Sequence, residues 1–259
     1  MRAPETPPSL SQGRGSRSCG LTRELVAARP EMTGKNRINN AMAQDDLEEL
    51  ARKAMRARLR HRQRKAQPLT HKVAYIGCSN SQDAVDGYHC SPGNRNYLWP
   101  GYDTQGGSID KWADASSVYW TRYSAMLRKY GQPKYVWVQL CERAYEGAFN
   151  TYDQVKMMIA NLKHKSSNAI AVVSGINDYS PNPGLCDLMG TASASSAGNG
   201  VYDTELWADQ LVADKLVRIR GPYLGPLTAR LTLKDGCHPN SAGRLLLGKQ
   251  LRRVIDVLR

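Results

Sequence analysis

The sequence predicts an α/β protein with a parallel sheet of five strands. Three near-continuous apolar runs, at Val73 to Cys78, Tyr135 to Leu140 and Ala169 to Ser174, are typical of strands buried on both faces. Segments of helical periodicity separate these runs, as expected where crossover helices join parallel strands. Two weaker runs, near Tyr97 to Tyr102 and Leu216 to Arg220, complete the predicted sheet.

The first 70 residues are predicted to form a basic N-terminal arm, and residues 71–259 the α/β domain. Residues 1–40 are rich in Arg, Pro, Ser, Gly and Asn without an apolar period, which indicates disorder because there is little to bury. One helix is expected at about residues 45–65. It has acidic residues in its first turn and eight basic residues from Arg52 to Lys65, and this arrangement suits the helix dipole.

Four helices are predicted between and after the strands of the domain, because their apolar residues recur on one face. They span Ile109 to Tyr130, Tyr152 to Lys165, Asp203 to Leu216 and Ser241 to Leu258. Residues 180–200 are dense in Pro, Gly, Ser and Ala, and they form a loop too long for a simple connection. Loops of this length after a strand often border a functional site.

The positive charge is concentrated in the arm. The chain carries +13, of which residues 1–70, with 15 Lys and Arg against 7 Asp and Glu, contribute +8 and the domain only +5. The charge therefore says little about what the domain binds. The basic run of residues 52–65 allows a weak contact with a polyanion, but we favour a solvated helix on a flexible tether.

No run of the sequence is long and apolar enough to predict a transmembrane segment, and residues 1–30 contain no apolar core like that of a signal peptide. Met32 and Met42 are alternative start sites. The sequence leaves the compartment unknown, with cytoplasmic and exported locations both open, and it also leaves the oligomeric state unknown.

Six cysteines, at positions 19, 78, 90, 141, 186 and 237, lack the paired spacing of a zinc site. Most are expected to be small core residues or free thiols. Cys141 and Cys186 follow two adjacent predicted strands, so a bridge between them is conceivable in an exported protein.

Polar residues with distinct chemistry follow three of the predicted elements. Ser79 lies just after the first strand and Asn177 just after the apolar run that ends at Ser174, while Asp235 and His238 precede the last helix. In a parallel sheet the ends of the strands meet at one edge, so these groups are expected to converge. Taken alone, each of these segments could equally be an ordinary turn or helix cap. The prediction of a shared site therefore rests on their combination.

These residue types match the requirements of a serine hydrolase. A serine hydroxyl needs an imidazole to remove its proton, and the imidazole needs a carboxylate to orient it. Ser79, His238 and Asp235 fit these roles. The oxyanion that forms on attack needs donors already in place, for which Asn177 offers an amide and Gly107 and Ser79 backbone N–H groups. Cys237 is a weaker alternative nucleophile.

Residues 73–259 resemble the SGNH (GDSL-like) hydrolases in four blocks that occur in the same order. These are Gly77-Cys78-Ser79, a glycine at Gly107, Gly175-Ile176-Asn177-Asp178, and Asp235-Gly236-Cys237-His238-Pro239. The resemblance implies a flavodoxin-like α/β/α sandwich that hydrolyses acyl esters without a cofactor or metal. By position, it makes Ser79 the nucleophile, Asp235 and His238 its partners, and Ser79, Gly107 and Asn177 the oxyanion donors.

The sequence departs from the family pattern at one position, and at a second position two neighbouring glycines could match the pattern. The family's usual Asp before the nucleophile is Cys78 here, and Gly106 is the fallback for Gly107. There is no Gly-x-Ser-x-Gly elbow at Ser79, which argues against the α/β-hydrolase fold.

The expected function is hydrolysis of carboxylic esters, with an O-acetylated carbohydrate or a short-chain acyl ester as the substrate. The absence of a long apolar segment that could cover the site favours small acyl groups. The alternative is a binding protein that has kept the hydrolase fold but not the activity, and that acts through its basic arm.

Overall fold

The computed structural model describes residues 72–91, 97–142, 150–179 and 200–258. The predicted arm, its helix at 45–65, and the predicted loop as far as residue 199 lie outside the described residues. Within them the protein is α/β, with a parallel four-stranded sheet and six helices. This arrangement is compatible with a three-layer α/β/α sandwich.

The sheet has the order β1-β2-β3-β4, and every pair is parallel. Its buried strands are apolar along most of their length, as expected for a sheet covered on both faces. The strands are β1 (Val73–Ile76), β2 (Tyr135–Gln139), β3 (Ile170–Ser174) and β4 (Ile219–Arg220).

The fifth predicted strand, at Tyr97 to Tyr102, forms only an isolated parallel bridge in the described structure, between Leu98 and Val73. The bridge is made by two hydrogen bonds, from Val73 N–H to the Tyr97 carbonyl (2.8 Å) and from Trp99 N–H to the Val73 carbonyl (2.9 Å). No further backbone hydrogen bond joins this segment to β1 within the described residues. Pro100, which has no N–H, follows at a position whose N–H would point away from β1, as expected at the edge of a sheet.

The helix predicted from Tyr152 to Lys165 is confirmed with these bounds, and the last two predicted helices appear with shifted ends. The single helix expected from Ile109 to Tyr130 is wrong, because two helices occupy this range. Between them the Asp114 carboxylate accepts hydrogen bonds from the N–H and hydroxyl of Ser116, which compete with helical bonding. The helices are α1 (Ser79–Cys90), α2 (Ile109–Ala113), α3 (Val118–Tyr130), α4 (Tyr152–Lys165), α5 (Gly200–Ala213) and α6 (Ser241–Ile255), with a 3-10 turn at Ala229–Leu231.

Helices α1 and α6 pack closely and in the same direction. Asp83 forms an ion pair with Arg244 at 2.7 Å, and one turn further along Gly87 faces Gly248. A Cβ atom at Gly248 would lie 2.1 Å from the Gly87 carbonyl carbon, so the two backbones touch only because neither residue has a side chain. This contact places the beginning of α1 next to the segment that precedes α6.

A methyl group at this helix contact is expected to destabilise the fold. Gly248→Ala should lower the free energy of unfolding by about 1–3 kcal/mol, because the helices must separate to admit the Cβ. Ala is intrinsically more favourable than Gly within a helix, so a lower free energy of unfolding would have to come from the steric clash. Urea unfolding measures this, with exposed Lys249→Ala on the same helix as the matched control. Unchanged stability of Gly248→Ala would mean that the helices do not touch here.

Candidate active site

Ser79 is the first residue of α1, directly after the turn that leaves β1. The turn depends on Gly77, whose φ of +152° is rarely adopted by other residues. A Cβ atom at Gly77 would also lie 2.0 Å from the Ser81 hydroxyl. The Ser79 side chain is half-buried. Its backbone N–H is at the helix N-terminus, where no preceding turn supplies a carbonyl.

Side chains from elsewhere in the chain hold the carbonyl groups of this turn. The Trp112 indole N–H donates to the Gly77 carbonyl at 2.9 Å, and the Thr104 hydroxyl donates to the Cys78 carbonyl at 2.8 Å. Both side chains are buried. Ser79 therefore follows a turn whose two carbonyl groups are already bonded, which limits the positions that Ser79 can take.

The bridge between Cys141 and Cys186 that the sequence left conceivable does not form, because Cys141 is disulfide-bonded to Cys78. The two bonded residues lie just past the ends of neighbouring strands β1 and β2, with their Cα atoms 6.1 Å apart. Cys186 lies outside the described residues. The bridge closes 63 residues of sequence, which corresponds to about 4 kcal/mol of lost chain entropy in the unfolded state.

Most cysteines were expected to be small core residues or free thiols. Within the described part of the chain, Cys78, Cys141 and Cys237 are buried, but the expectation of free thiols is wrong. Cys90 and Cys237 are disulfide-bonded as well, so all four cysteines there are in bridges. Because Cys237 is disulfide-bonded, it has no free thiolate and cannot act as a nucleophile.

His238 lies between Ser79 and Asp235, and its ring is bonded to both. Its Nε2 is 2.9 Å from the Ser79 Oγ, and its Nδ1 is 2.7 Å from the Asp235 Oδ2. When Nδ1–H donates to the carboxylate, Nε2 is left as an acceptor for the serine hydroxyl. The structure thus brings together the three residues that the sequence predicts as a triad, and it joins them by hydrogen bonds in the required order.

The Asp235 carboxylate is fixed by its own loop. Its Oδ1 accepts hydrogen bonds from the backbone N–H groups of Cys237 and His238, both at 3.0 Å. Partial burial would raise the pKa of Asp235, but these two bonds and the bond from the His238 ring together lower it below its ordinary value. Asp235 therefore stays ionised, and its charge can stabilise a protonated imidazole.

Asn177 is fully buried near the end of β3. Its side-chain oxygen accepts a hydrogen bond from the Gln139 amide at 3.0 Å, which directs the NH₂ group away from Gln139. This NH₂ group makes no hydrogen bond of ordinary geometry within the described residues, although the Tyr179 hydroxyl lies near it. A buried donor without a well-formed bond is available to a ligand such as a developing oxyanion.

Gly107 differs from the other predicted oxyanion donors because its N–H already donates to the Thr104 carbonyl at 3.0 Å. Its glycine identity has a clear packing reason. A Cβ atom there would lie 2.3 Å from the Gly77 carbonyl oxygen, so Gly107 lets its loop approach the turn that precedes Ser79. The neighbouring Gly106 is exposed and has a φ of +72°.

Sequence reasoning missed two residues that organise the site. The Ser81 hydroxyl accepts the Cys78 N–H at 2.9 Å and donates to the Gln139 side-chain oxygen at 2.7 Å. Gln139 in turn orients Asn177. The only signal for Gln139 in the sequence is a polar residue at the end of the apolar run Tyr135 to Leu140.

Tyr179 is a third residue that the sequence analysis missed, and it links the β3 end of the site to the His238 loop. Its buried hydroxyl bonds the Cys237 carbonyl and lies 3.3 Å from the Asn80 side-chain oxygen. Burial raises the pKa of Tyr179 well above its ordinary value, although the nearby amide of Asn177 partly offsets this. The hydroxyl therefore stays protonated and serves as a donor.

None of the helices within the described ranges is both long and apolar enough to cross a membrane. Among these same residues, no group of three or more His, Cys, Asp or Glu side chains is arranged to hold a metal ion. No known family model matches the chain, and no curated protein matches it either.

Proposed function

We propose that the protein is a serine esterase that hydrolyses carboxylic esters through an acyl-enzyme on Ser79. One observation carries the proposal, the hydrogen-bonded series from the Ser79 hydroxyl through His238 to Asp235. A structural serine and histidine have no need of this order of bonds. A base within 2.9 Å of a hydroxyl, itself oriented by an ionised carboxylate, has the geometry required for nucleophilic catalysis.

In the proposed reaction the Ser79 oxygen bonds to the acyl carbon while its proton moves to the His238 Nε2. Collapse of the tetrahedral intermediate breaks the bond to the alcohol, which leaves with the proton from His238. Water then repeats the sequence on the acyl-enzyme and releases the carboxylic acid. Asp235 holds the ring throughout and stabilises its positive charge.

We further propose that the Ser79 N–H, the Asn177 amide and Gly107 form the oxyanion hole. The Asn177 NH₂ group supports this role, because it makes no hydrogen bond of ordinary geometry within the described residues. Gly107 would have to share its N–H between the Thr104 carbonyl and the oxyanion. A shift of the Gly107 N–H from the neutral Thr104 carbonyl towards the charged oxyanion is favourable, because hydrogen bonds to charged groups are stronger.

We also propose that the fold is that of the SGNH hydrolases. The Leu98 bridge on the free edge of β1 supports this assignment. If this segment counts as the second strand in chain order, the sheet has the flavodoxin-like order 2-1-3-4-5. The substrate class follows from the resemblance, as a short-chain acyl ester or an O-acetylated carbohydrate.

A fluorophosphonate probe tests the proposed function directly. We expect one covalent adduct, which peptide mass spectrometry maps to Ser79, and loss of p-nitrophenyl acetate hydrolysis in proportion to labelling. The exposed Ser116 is an internal control that should stay unlabelled, as should every serine of the heat-denatured chain. A folded chain that takes no label and hydrolyses no ester would favour the alternative binding protein.

A further inference from the structure

The disulfide between Cys78 and Cys141 lies directly beside the proposed nucleophile. Cys78 is the residue before Ser79 and the N-cap of α1. Both sulfur-bearing residues are buried, with exposed fractions of 3% and 1%. Together with Ile176 they form a small apolar cluster separate from the main core.

The sheet itself does not hold the turn that carries Ser79. Pairing between β1 and β2 ends at Ile76, which is opposite Val138. Beyond that point Gly77 has no side chain that could pack against β2. The links from the turn to β2 are therefore made by side chains, namely the Ser81–Gln139 hydrogen bond and the disulfide.

These two links differ in stiffness. A hydrogen bond tolerates changes of a few tenths of an ångström and of tens of degrees, whereas a covalent bridge fixes the separation of the residues it joins. The Ser79 oxygen must stay within hydrogen-bonding distance of His238 to transfer its proton. A displacement of about 1 Å in an active site can lower the rate by about 10²-fold.

We propose that the Cys78–Cys141 disulfide is a positioning element for catalysis, which fixes the start of α1 so that Ser79 faces His238. The inference rests on the proposed esterase function. Neither cysteine takes part in the chemistry. They act through the backbone of Ser79. Cys78 occupies the position at which the resembling family has a carboxylate before its nucleophile.

The test removes the bridge and keeps the helix cap. Cys78→Ser with Cys141→Ser is nearly isosteric, and serine is a preferred N-cap residue, so a loss of activity would not reflect a lost cap. We expect kcat for p-nitrophenyl acetate and the rate of fluorophosphonate labelling to fall by about 10- to 100-fold, with KM within about 2-fold. Assays run well below the unfolding midpoint of the variant, so that only folded protein is compared.

A second double variant separates the bridge from packing. Cys78→Ala with Cys141→Val keeps the cluster apolar and close to its original volume. It should show the same fall in kcat as the serine variant, and each single cysteine variant should match the doubles. A cooperative unfolding transition shows which variants are folded.

The outcomes distinguish this inference from the proposed function. If the wild type hydrolyses the ester and takes the label, the esterase proposal stands. Folded variants that then keep the wild-type kcat and labelling rate would overturn the positioning role and leave a purely stabilising bridge. If neither double variant folds, the bridge is a requirement of the fold, and the positioning role is equally overturned. An inert wild type would remove both proposals.

Discussion

Replacement of Ser79 by alanine is expected to lower kcat/KM for p-nitrophenyl acetate by about 10⁴-fold or more, because no other group in the site can form the acyl-enzyme. The change removes one hydroxyl, and the backbone of the turn remains held by Trp112 and Thr104. The loss of one hydrogen bond should lower the free energy of unfolding by about 1 kcal/mol, so the thermal unfolding midpoint should shift by only a few degrees.

The matched control for this variant is Ser116→Ala, which removes an exposed hydroxyl in the loop between α2 and α3. It should keep the wild-type kcat/KM and the wild-type adduct. Residual hydrolysis in Ser79→Ala that is still blocked by the fluorophosphonate would place the nucleophile elsewhere, and the assignment of Ser79 would have to be abandoned.

Replacement of Asp235 by asparagine is expected to lower kcat by about 10⁴-fold with little effect on folding. The remaining oxygen can still accept the two backbone N–H groups of its loop. The new NH₂ group then faces the His238 Nδ1, which must become an acceptor. The ring proton moves to Nε2, and the base that should accept the Ser79 proton is lost.

Nitrogen NMR of His238 measures this change of tautomer independently of the rate. The control is Asp153→Asn on α4, where an exposed carboxylate pairs only with Lys156 among the described residues. Wild-type activity in Asp235→Asn would mean that His238 needs no carboxylate. A loss of activity with an unchanged tautomer would assign Asp235 a role in loop structure instead.

The buried strands were predictable because parallel strands covered on both faces require continuous apolar runs. All three such runs became strands, with ends shifted by one or two residues. The weak strand near Tyr97 was not predictable in extent, since apolar content does not show where a neighbouring ladder ends. The break in the helix predicted from Ile109 depends on the side chain of Asp114, a local competition that helical periodicity does not register.

At the candidate site, the residues with distinctive chemistry could be predicted from the sequence, while the residues that orient them could not. Ser79, Asp235 and His238 are recognisable because reactive groups with set spacing are rare. Gln139 and Ser81 act through contacts between separate strands, and nothing local marks them. The partner of Cys141 was missed for the same reason, since the sequence does not show which turn lies beside β2.

The parallel packing of α1 and α6 has an electrostatic consequence for the proposed reaction. Two helices that run side by side in one direction repel each other, because each carries about +0.5 elementary charge at its first turn. The Gly87–Gly248 contact and the ion pair of Asp83 with Arg244 hold them together despite this repulsion. In the proposed reaction, the positive end of α1, which carries Ser79, would lie near the oxygen of the attacked ester that gains negative charge. The folded protein keeps these helices aligned before any substrate binds. In the proposed reaction, the resulting field would favour the charged intermediate over the neutral ester.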